Sequence, residues 1–293
     1  MLKVRHISIS EQKPYVAFGA FERQVEVWNY QSGKRVSAFD TILSYGGQRL
    51  AISKDGDRVL AAAWARHGLA CYDAHTGKLI WQRRDLKKVQ RINLSRDGAS
   101  AFCGIESRSC LGIAVSSGEE LCSFRGAKSR VESSYSEFAV IDRTRPEVVG
   151  PNGRRGFKIE RTTFAVLAWA IGSETLLISE AGGPVRCFEL SSGEELWRYK
   201  PPIGTHYIDL AYSEALAQFL GVCWPYEYGG AKELAWFPPQ GEQPEELHDL
   251  GNPAETAFSP DGGILISSTG EIFDTQRGAV VEMIPVEHGI MFH

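Results

Sequence analysis

The 293-residue sequence has no apolar run long enough to cross a bilayer and no signature of a common catalytic site. A membrane-spanning helix needs about 20 consecutive apolar residues. The chain contains no Gly-x-Ser-x-Gly, no His-Glu-x-x-His and no glycine-rich phosphate loop, each of which supports a particular chemistry. Its seven histidines, at positions 6, 67, 75, 206, 248, 288 and 293, lack metal-ligand spacing. These absences argue against serine hydrolases, zinc proteases and nucleotide-binding enzymes, and we expect no cofactor.

Cysteine is present without any pairing pattern. The six cysteines are Cys71, Cys103, Cys110, Cys122, Cys187 and Cys223, and no two of them form a Cys-x-x-Cys pair. Five fall within predicted strands and the last at the end of one. This distribution favours buried free thiols over a disulfide framework. The first ten residues carry no apolar signal segment. We therefore expect a cytoplasmic protein with no membrane association.

A short glycine turn recurs through the whole chain. The turns are Ser32-Gly33, Thr76-Gly77, Ser117-Gly118, a degenerate Arg155-Gly156, Ser192-Gly193, Gln240-Gly241 and Arg277-Gly278, and successive glycines are 37 to 48 residues apart. A period of this size, built from short strands, is typical of a β-propeller with one blade per repeat. The sequence thus predicts an all-β, seven-bladed β-propeller of four-stranded antiparallel blades. We expect residues 1–293 to form a single domain.

The second repeat shows the predicted unit most clearly. Apolar strands at 50–53, 58–63, 68–73 and 78–81 are separated by a tight Asp55-Gly56 turn, a loop and the Thr76-Gly77 turn. The fourth repeat matches this pattern least well, so six or eight blades also remain compatible with the sequence. The predicted blades span residues 1–40, 41–84, 85–125, 126–161, 162–200, 201–250 and 251–283, with 284–293 as a tail or closing strand.

Several blade motifs resemble those of known propeller families. Residues 258–262 read Phe-Ser-Pro-Asp-Gly, which resembles a turn of the WD repeat, and Val27-Trp28-Asn29, Cys71-Tyr72-Asp73 and Ile272-Phe273-Asp274 resemble its Trp-Asp ending. Residues 72–81 and 192–197 are similar to the blade motif of pyrroloquinoline-quinone-type propellers. These resemblances imply a fold and no activity. The Gly-His pair that opens many WD repeats is missing, so the hydrogen-bond network of that family is not carried over.

Four tryptophans recur within the repeats and are interpreted as packing residues. They are Trp28, Trp81, Trp197 and Trp236. Large aromatic side chains at repeated positions are expected to fill the space between neighbouring blades. We therefore do not assign these four residues to a functional site.

Charge is distributed unevenly along the chain, although the net charge is only −4. Residues 1–160 carry 26 Lys and Arg against 17 Asp and Glu, a balance of +9, and residues 161–293 carry 6 against 19, a balance of −13. In a ring of sequential blades these two halves lie on opposite sides. The sequence thus predicts one basic and one acidic side.

The predicted loops between second and third strands concentrate the residue types of protein interfaces. In the first four repeats they contain Arg23, Arg66, Arg108, Arg143 and Arg145, with Trp64 and His67 beside Arg66, and the sixth repeat supplies Trp224, Tyr226 and Tyr228. Arginine, tryptophan and tyrosine are enriched at binding hot spots. The alternatives are ordinary solvated arginines and an aromatic loop folded onto its own blade. Tight Asp-Gly and Ser/Thr-Gly turns form the opposite face.

These features favour a non-enzymatic protein-binding module, acting as a scaffold or as an immunity or inhibitor protein. We expect another folded protein of asymmetric charge as the partner and leave the oligomeric state open. Nucleic acid is a weaker candidate, because the acidic half would repel a long polyanion. The alternative function is a metal-dependent hydrolase or lactonase-like enzyme, whose ligands would converge from inner-strand ends on the central channel.

Overall fold

The computed structural model is all-β. It describes residues 4–20, 24–41, 48–63, 68–86, 88–95, 98–105, 109–125, 139–140, 147–149, 155–158, 166–225, 230–241 and 243–286. In these ranges the regular secondary structure consists of 27 β-strands and no helix. Nearly all belong to four-stranded antiparallel sheets.

Six sheets form the blades, numbered here in chain order. Blade I comprises β1 (Val4–Ile9), β2 (Tyr15–Ala20), β3 (Gln24–Asn29) and β4 (Lys34–Asp40). Blade II comprises β5 (Gln48–Ile52), β6 (Arg58–Ala63), β7 (Leu69–Asp73) and β8 (Leu79–Arg83). Blade III comprises β9 (Val89–Leu94), β10 (Ser100–Ile105), β11 (Ser109–Ala114) and β12 (Glu120–Arg125).

A smaller sheet and three further blades follow along the chain. The small sheet comprises β13 (Ala139–Val140), β14 (Glu147–Val149) and β15 (Arg155–Lys158). Blade IV comprises β16 (Val166–Ile171), β17 (Thr175–Glu180), β18 (Val185–Glu189) and β19 (Glu195–Tyr199). Blade V comprises β20 (Thr205–Ser213), β21 (Gln218–Pro225), β22 (Lys232–Phe237) and β23 (Glu245–Gly251). Blade VI comprises β24 (Thr256–Phe258), β25 (Ile264–Ser267), β26 (Glu271–Asp274) and β27 (Ala279–Met283).

Each blade is an up-and-down meander in which sequential strands are hydrogen-bonded neighbours. The first strands lie against one another around the ring: β1 contacts β5 and β24, β5 contacts β9, and β20 contacts β16 and β24. This arrangement defines a β-propeller whose first strands surround a central channel.

The predicted count of seven four-stranded blades is wrong. The described part of the chain contains six such blades, and the fourth repeat contributes only the three short strands β13–β15. The fourth repeat has weak turn signals: it lacks an Asp-Gly turn, and its Ser/Thr-Gly turn is replaced by Arg155-Gly156. Blades IV and V also lack an Asp-Gly turn, and blade VI has Arg277-Gly278, yet each forms four strands. Turn signals alone therefore do not determine how many strands a repeat forms.

A buried serine ends most of the inner strands and sets up the first turn of the blade. Ser53 is 3% exposed and Ser259 is 5% exposed. The hydroxyl of Ser53 donates to Asp55 Oδ1 (2.5 Å) and accepts from the backbone N–H of Arg58 (2.9 Å). Ser259 makes the same two bonds, to Asp261 (2.6 Å) and from Ile264 (2.8 Å). The Ser-x-Asp-Gly sequence thus supplies hydrogen bonds that stabilise the turn from within five residues of the chain.

The turn between the third and fourth strands is capped by the acidic or amide residue that ends the third strand. Asp73 Oδ1 accepts from the backbone N–H groups of His75 (3.1 Å) and Thr76 (2.8 Å) and from the Thr76 hydroxyl (2.8 Å). Asn29 and Asp274 cap their turns in the same way. This role explains why an aromatic residue followed by Asp or Asn recurs in the sequence.

The four tryptophans pack between blades from two different strand positions. Trp81 and Trp197 lie on fourth strands, and Trp28 and Trp236 lie on third strands. Trp81 packs against the core shared by blades II and III, and its Nε1 donates to the carbonyl of Val115 (3.0 Å). The Trp197 ring stacks 6.4 Å from Phe237 of the next blade. The interpretation of these residues as inter-blade packing is therefore confirmed.

The ring closes between blade VI and blade I through side-chain packing. Every strand of blade I comes from residues 4–40 and every strand of blade VI from residues 256–283. One apolar cluster joins Ile9 and Trp28 of blade I to Ile266 of blade VI, together with Ile284 and Val286 beyond the last strand. Within residues 4–286 as described, the two blades share no strand, and apolar burial at this seam joins them.

Candidate functional site

The inner strands start at the same face of the ring at which the second strands end. Because each blade is an antiparallel meander, the starts of first and third strands and the ends of second strands share one edge of the sheet. We call this side of the ring the upper face. It also carries the connections from one blade to the next, whereas the lower face carries the tight glycine turns.

Of the ten site residues predicted from the sequence, Trp224 is the one that falls within the described residues. It lies near the end of β21, paired with His206 of β20, and its side chain is 41% exposed on the upper face. The ammonium nitrogen of Lys232 lies 5.7 Å from the centroid of the Trp224 ring, in a cation–π arrangement. The exposed indole is therefore held beside a fixed cation.

The remaining predicted site residues cannot be placed in this surface. Nine of them lie outside the described residues: Arg23, Trp64, Arg66, His67, Arg108, Arg143, Arg145, Tyr226 and Tyr228. Their loops remain predictions from the sequence. An apolar residue that the sequence analysis missed also lies on the upper face, since Ile203, in the connection from blade IV to blade V, is fully exposed.

A second group of residues occupies one repeated position at the entrance to the central channel. It is the position four residues before the serine, or in blade IV the glycine, that ends each inner strand. Its occupants in chain order are His6, Arg49, Arg91, Ala168, Asp209 and Glu255. Basic types thus occupy it in blades I–III and acidic types in blades V and VI. We call these six residues the channel ring.

The backbone at the upper ends of the inner strands is irregular where the channel ring begins. The strand register shifts immediately before His6 in β1, before Ala168 in β16 and before Asp209 in β20. A β-bulge inserts one residue and redirects the side chain that follows, and such bulges are frequent beside functional sites. The shifts place these residues around a common space.

That space is a cavity of about 370 Å³ inside the channel. His6, Arg49, Asp209 and Glu255 of the channel ring line it, together with Lys232. Apolar residues that include Ile7, Ile171, Ile208 and Phe258 also line the cavity, and so do the polar residues Asn93, Thr256 and Ser259. The cavity therefore combines a charged entrance with a wall of mixed polarity and falls within the usual size range of small-molecule pockets.

Lys232 is the most deeply buried cation at this entrance. It is 5% exposed, and its Nζ donates to the carbonyls of Pro253 (2.6 Å) and Ala254 (3.3 Å) in the connection from blade V to blade VI. Burial lowers its pKa, and the nearby carboxylates of Glu255 and Asp209 oppose that change. Lys232 thus anchors the connection that carries Glu255 and places an ammonium group between the exposed Trp224 and the cavity.

On the basic side of the entrance, Arg49 Nη1 is hydrogen-bonded to His6 Nε2. A guanidinium group can only donate, so the imidazole nitrogen must accept. This bond requires a neutral imidazole with its proton on Nδ1. Arg49 consequently supplies the positive charge of the pair.

One buried donor in the cavity wall lacks a hydrogen-bond partner. Trp169 on β16 is 4% exposed and lines the cavity, and its indole Nε1 has no acceptor in the structure. A buried N–H group without an acceptor costs about 1–3 kcal/mol. The Nε1 atom itself has almost no solvent-accessible surface, so the cavity does not reach it.

The described residues provide little support for other chemistries. They contain no group of three or more His, Cys, Asp and Glu that could hold a metal ion. All six cysteines are free, and burial raises the pKa of Cys71, Cys103 and Cys187 to about 12, so these three remain protonated at neutral pH. At the end of β8, Arg83 forms a bidentate pair with Asp85 (2.8 and 2.6 Å) and is thus engaged within the fold. No helix in the described ranges is long and apolar enough to cross a bilayer.

No protein-family model matches the chain, and no curated protein matches it either. The class of protein is therefore defined by its architecture, a β-propeller with a charged channel entrance. A functional assignment must rest on the two features of the upper face: the exposed Trp224 beside Lys232, and the channel ring.

The channel ring could have been found from the sequence. Aligning the repeats on Ser10, Ser53, Ser95, Ser213 and Ser259 places five of its six members, all except Ala168, in one column. The same alignment does not predict Lys232, because its approach to the cavity depends on how the connection between blades V and VI folds back onto β22.

Proposed function

We propose that the protein is a non-enzymatic protein-binding module that uses the upper face of the propeller. The observation that carries this proposal is Trp224, a large aromatic side chain that is 41% exposed on a well-paired strand. Tryptophan is enriched at binding hot spots, because its side chain buries a large area and has few rotatable bonds.

The surroundings of Trp224 support a role in binding. Strand pairing with β20 fixes the backbone of Trp224, and the Lys232 ammonium lies 5.7 Å from the centroid of its ring; a side chain already held in this way loses less entropy when a partner covers it. Ile203 adds a fully exposed apolar side chain to the same face. Two such residues on one face fit an interface with an apolar centre better than they fit a solvated surface.

The charge distribution favours a folded partner with its own charge asymmetry. The N-terminal half of the chain is basic and the C-terminal half acidic, and Trp224 belongs to the acidic half. Complementary potentials orient two proteins during encounter and discriminate against partners of the wrong charge. Both a scaffold and an immunity or inhibitor protein would use such a surface.

The proposal is tested by quantitative affinity capture from native cells, followed by titration with the purified partner. The baits are the wild type, Trp224→Ala and the control Leu196→Ala, which removes an apolar residue of similar exposure (51%) from the outer strand β19. We expect one stoichiometric partner with the wild type and the control. Loss of a hot-spot anchor typically costs about 2 kcal/mol, so Trp224→Ala should bind about thirtyfold more weakly.

Two results would contradict the proposal. A partner that binds Trp224→Ala and wild type with affinities within about twofold of each other would place the interface elsewhere. Absence of any partner whose recovery depends on Trp224 would remove the basis for a binding module. Circular dichroism and thermal melting of the variant should match the wild type, because the exposed indole contributes little to the core.

A further inference from the structure

We propose that the partner of the upper face presents a basic protein segment, in which lysine and arginine side chains flank an apolar residue. The apolar residue covers Trp224, and the cations meet carboxylates of blades V and VI. This inference rests on the proposed function, since it specifies the chemistry of the partner that the Trp224 surface binds.

The charge composition around Trp224 determines which partner fits this surface. Residues 201–276 include all of blade V and the first three strands of blade VI, and they contain 12 Asp and Glu against a single Lys or Arg, Lys232. Lys232 is 5% exposed, and its Nζ donates to the carbonyls of Pro253 and Ala254. The stretch has a formal charge of −11 however its side chains are paired. Its surface is therefore acidic.

Two of these carboxylates lie at the same edge of blade V as Trp224. Glu233 near the start of β22 and Asp249 near the end of β23 are direct cross-strand partners, and Asp249 is exposed. Glu233 is also paired with Cys223, the neighbour of Trp224 along β21. Because adjacent strands lie about 4.8 Å apart, the backbones of Asp249 and Cys223 are about 10 Å apart. A partner that covers the indole can therefore reach Asp249 as well.

A basic partner gains from these carboxylates, whereas other charge types do not. Like charges that face each other across two strands repel, and cations of a partner would offset the repulsion between Glu233 and Asp249. An acidic protein or a nucleic acid would add negative charge to an acidic surface and would be repelled. Opposite charge also speeds the encounter and orients the partner before contact.

The exposed apolar side chains indicate a protein segment and not a small cation. Trp224 is 41% exposed, and Ile203 on the same face is fully exposed. A metal ion or a polyamine would leave this apolar area in water, whereas an aliphatic or aromatic residue of a partner would bury it. Among the described residues, no group of three or more His, Cys, Asp and Glu could hold a metal ion. An apolar centre with a polar rim is the usual composition of a protein interface.

Selection from a random dodecapeptide phage library tests the chemistry of the partner before its identity is known. Wild type and Trp224→Ala serve as targets in parallel, and the peptides recovered from the wild type alone are sequenced. We expect these peptides to contain at least about twice as many Lys and Arg as the unselected library, and fewer Asp and Glu. Wild-type-specific peptides of unchanged or acidic composition, or the absence of such peptides, would overturn the inference.

Two charge reversals on one strand then locate the carboxylates that act. Asp249→Lys, at the upper end of β23, should weaken binding of the best wild-type-specific peptide at least about fivefold in fluorescence polarisation, because repulsion replaces attraction. Glu245→Lys is the matched control, since Glu245 is also exposed but begins the same strand on the lower face. At about 150 mM salt the Debye length is about 8 Å, so the control should bind like wild type.

Equal effects of the two reversals, or no effect of either, would contradict the assigned location of the cations. Circular dichroism and thermal melting establish that both variants fold. Asp249→Asn serves if Asp249→Lys does not fold, and it should weaken the same peptide at least about twofold.

The partner recovered by affinity capture separates this inference from the proposed function. A Trp224-dependent partner whose affinity falls at least about tenfold between about 50 and 500 mM salt, and which binds Asp249→Lys more weakly, supports both. A Trp224-dependent partner that is insensitive to salt and to Asp249→Lys would overturn the basic segment and leave the proposed function intact. Absence of any Trp224-dependent partner or peptide would overturn both.

Discussion

Asp57, on the lower face, illustrates how single residues join neighbouring blades. Its carboxylate forms an ion pair with Lys13 from the first turn of blade I and accepts a hydrogen bond from His75 Nε2 at 3.0 Å. The Asp57 carbonyl accepts from the backbone N–H of Ala74 (2.9 Å). The hydrogen bond from Lys13, and then that from His75, lowers the pKa of Asp57. The hydrogen bond between Lys13 and Asp57 also raises the pKa of Lys13.

Asp57→Asn should therefore lower stability at neutral pH and have little effect in acid. Since the folded-state pKa of Asp57 is depressed, its contribution is present above the unfolded-state value of about 4 and is lost as the pH falls through the folded-state value. The carboxylate is 47% exposed, so we expect at most about 1 kcal/mol at pH 7.

Urea denaturation from pH 7 down to pH 2 measures this dependence. The difference between wild type and Asp57→Asn should shrink across the acid limb. Asp40→Asn controls for loss of an exposed carboxylate on the outer strand β4. A difference that stays constant from pH 7 to pH 2 would show that the ion pair does not stabilise the folded state.

Among elements, the turns between third and fourth strands combine backbone conformation with inter-blade packing. Gly33 and Gly118 occupy the same turn in different blades, with φ of +62° and +75°. A Cβ at Gly33 would have no atom within 4 Å, whereas one at Gly118 would lie 2.8 Å from the ring of Trp81 in the preceding blade. The two glycines thus separate the cost of the backbone conformation from the cost of packing.

Gly33→Ala should destabilise the protein by about 1 kcal/mol, the cost of a left-handed conformation for a residue with a Cβ. Gly118→Ala should cost more, about 2–4 kcal/mol, because the Trp81 ring must also move away. Thermal or denaturant unfolding of both variants measures the difference. Equal losses would mean that Trp81 adjusts freely and that this packing contributes little to the junction of blades II and III.

For the molecule as a whole, the closure of the ring has a local and testable basis. Ile284 lies beyond the last strand, is 1% exposed, and packs in the cluster that joins blade VI to blade I. Its backbone N–H donates to the carbonyl of Gly270 (2.8 Å). The segment after β27 thus contributes to the seam between the first and last blades without being a strand itself.

Ile284→Ala should reduce the free energy of unfolding by about 2–5 kcal/mol, the usual cost of truncating a buried aliphatic side chain. Val281→Ala on β27 is the control, since Val281 is 40% exposed and should change stability by less than about 1 kcal/mol. Denaturant titration compares the two. Similar small effects would mean that the seam is closed by other contacts.

The sequence predicted the blade unit because its signals are local. The Ser-x-Asp-Gly turn, the capping residue that ends the third strand and the turn glycine act through hydrogen bonds and backbone angles within a few residues. These signals were sufficient for an all-β propeller of four-stranded blades. They were insufficient for the number of blades: three blades form four strands without an Asp-Gly turn, whereas the fourth repeat, which also lacks one, contributes three short strands in the part of the chain that the structure describes.

The candidate site likewise contains one residue that the sequence predicted and one that only the structure revealed. Trp224 was predicted as a binding residue from its residue type and a predicted loop; the structure instead places it within β21 and exposes it on the upper face, and its role stays a prediction. Lys232 was not, because the residues it contacts are about 20 positions away along the chain.

By itself, therefore, the sequence determined strands, turns and their order, which depend on interactions between residues close together in the chain. Tertiary structure alone decided the blade count, the seam at Ile284 and the approach of Lys232 to the channel cavity. These features arise where side chains from blades far apart in sequence share one space, and only the packing of the ring determines which of them meet.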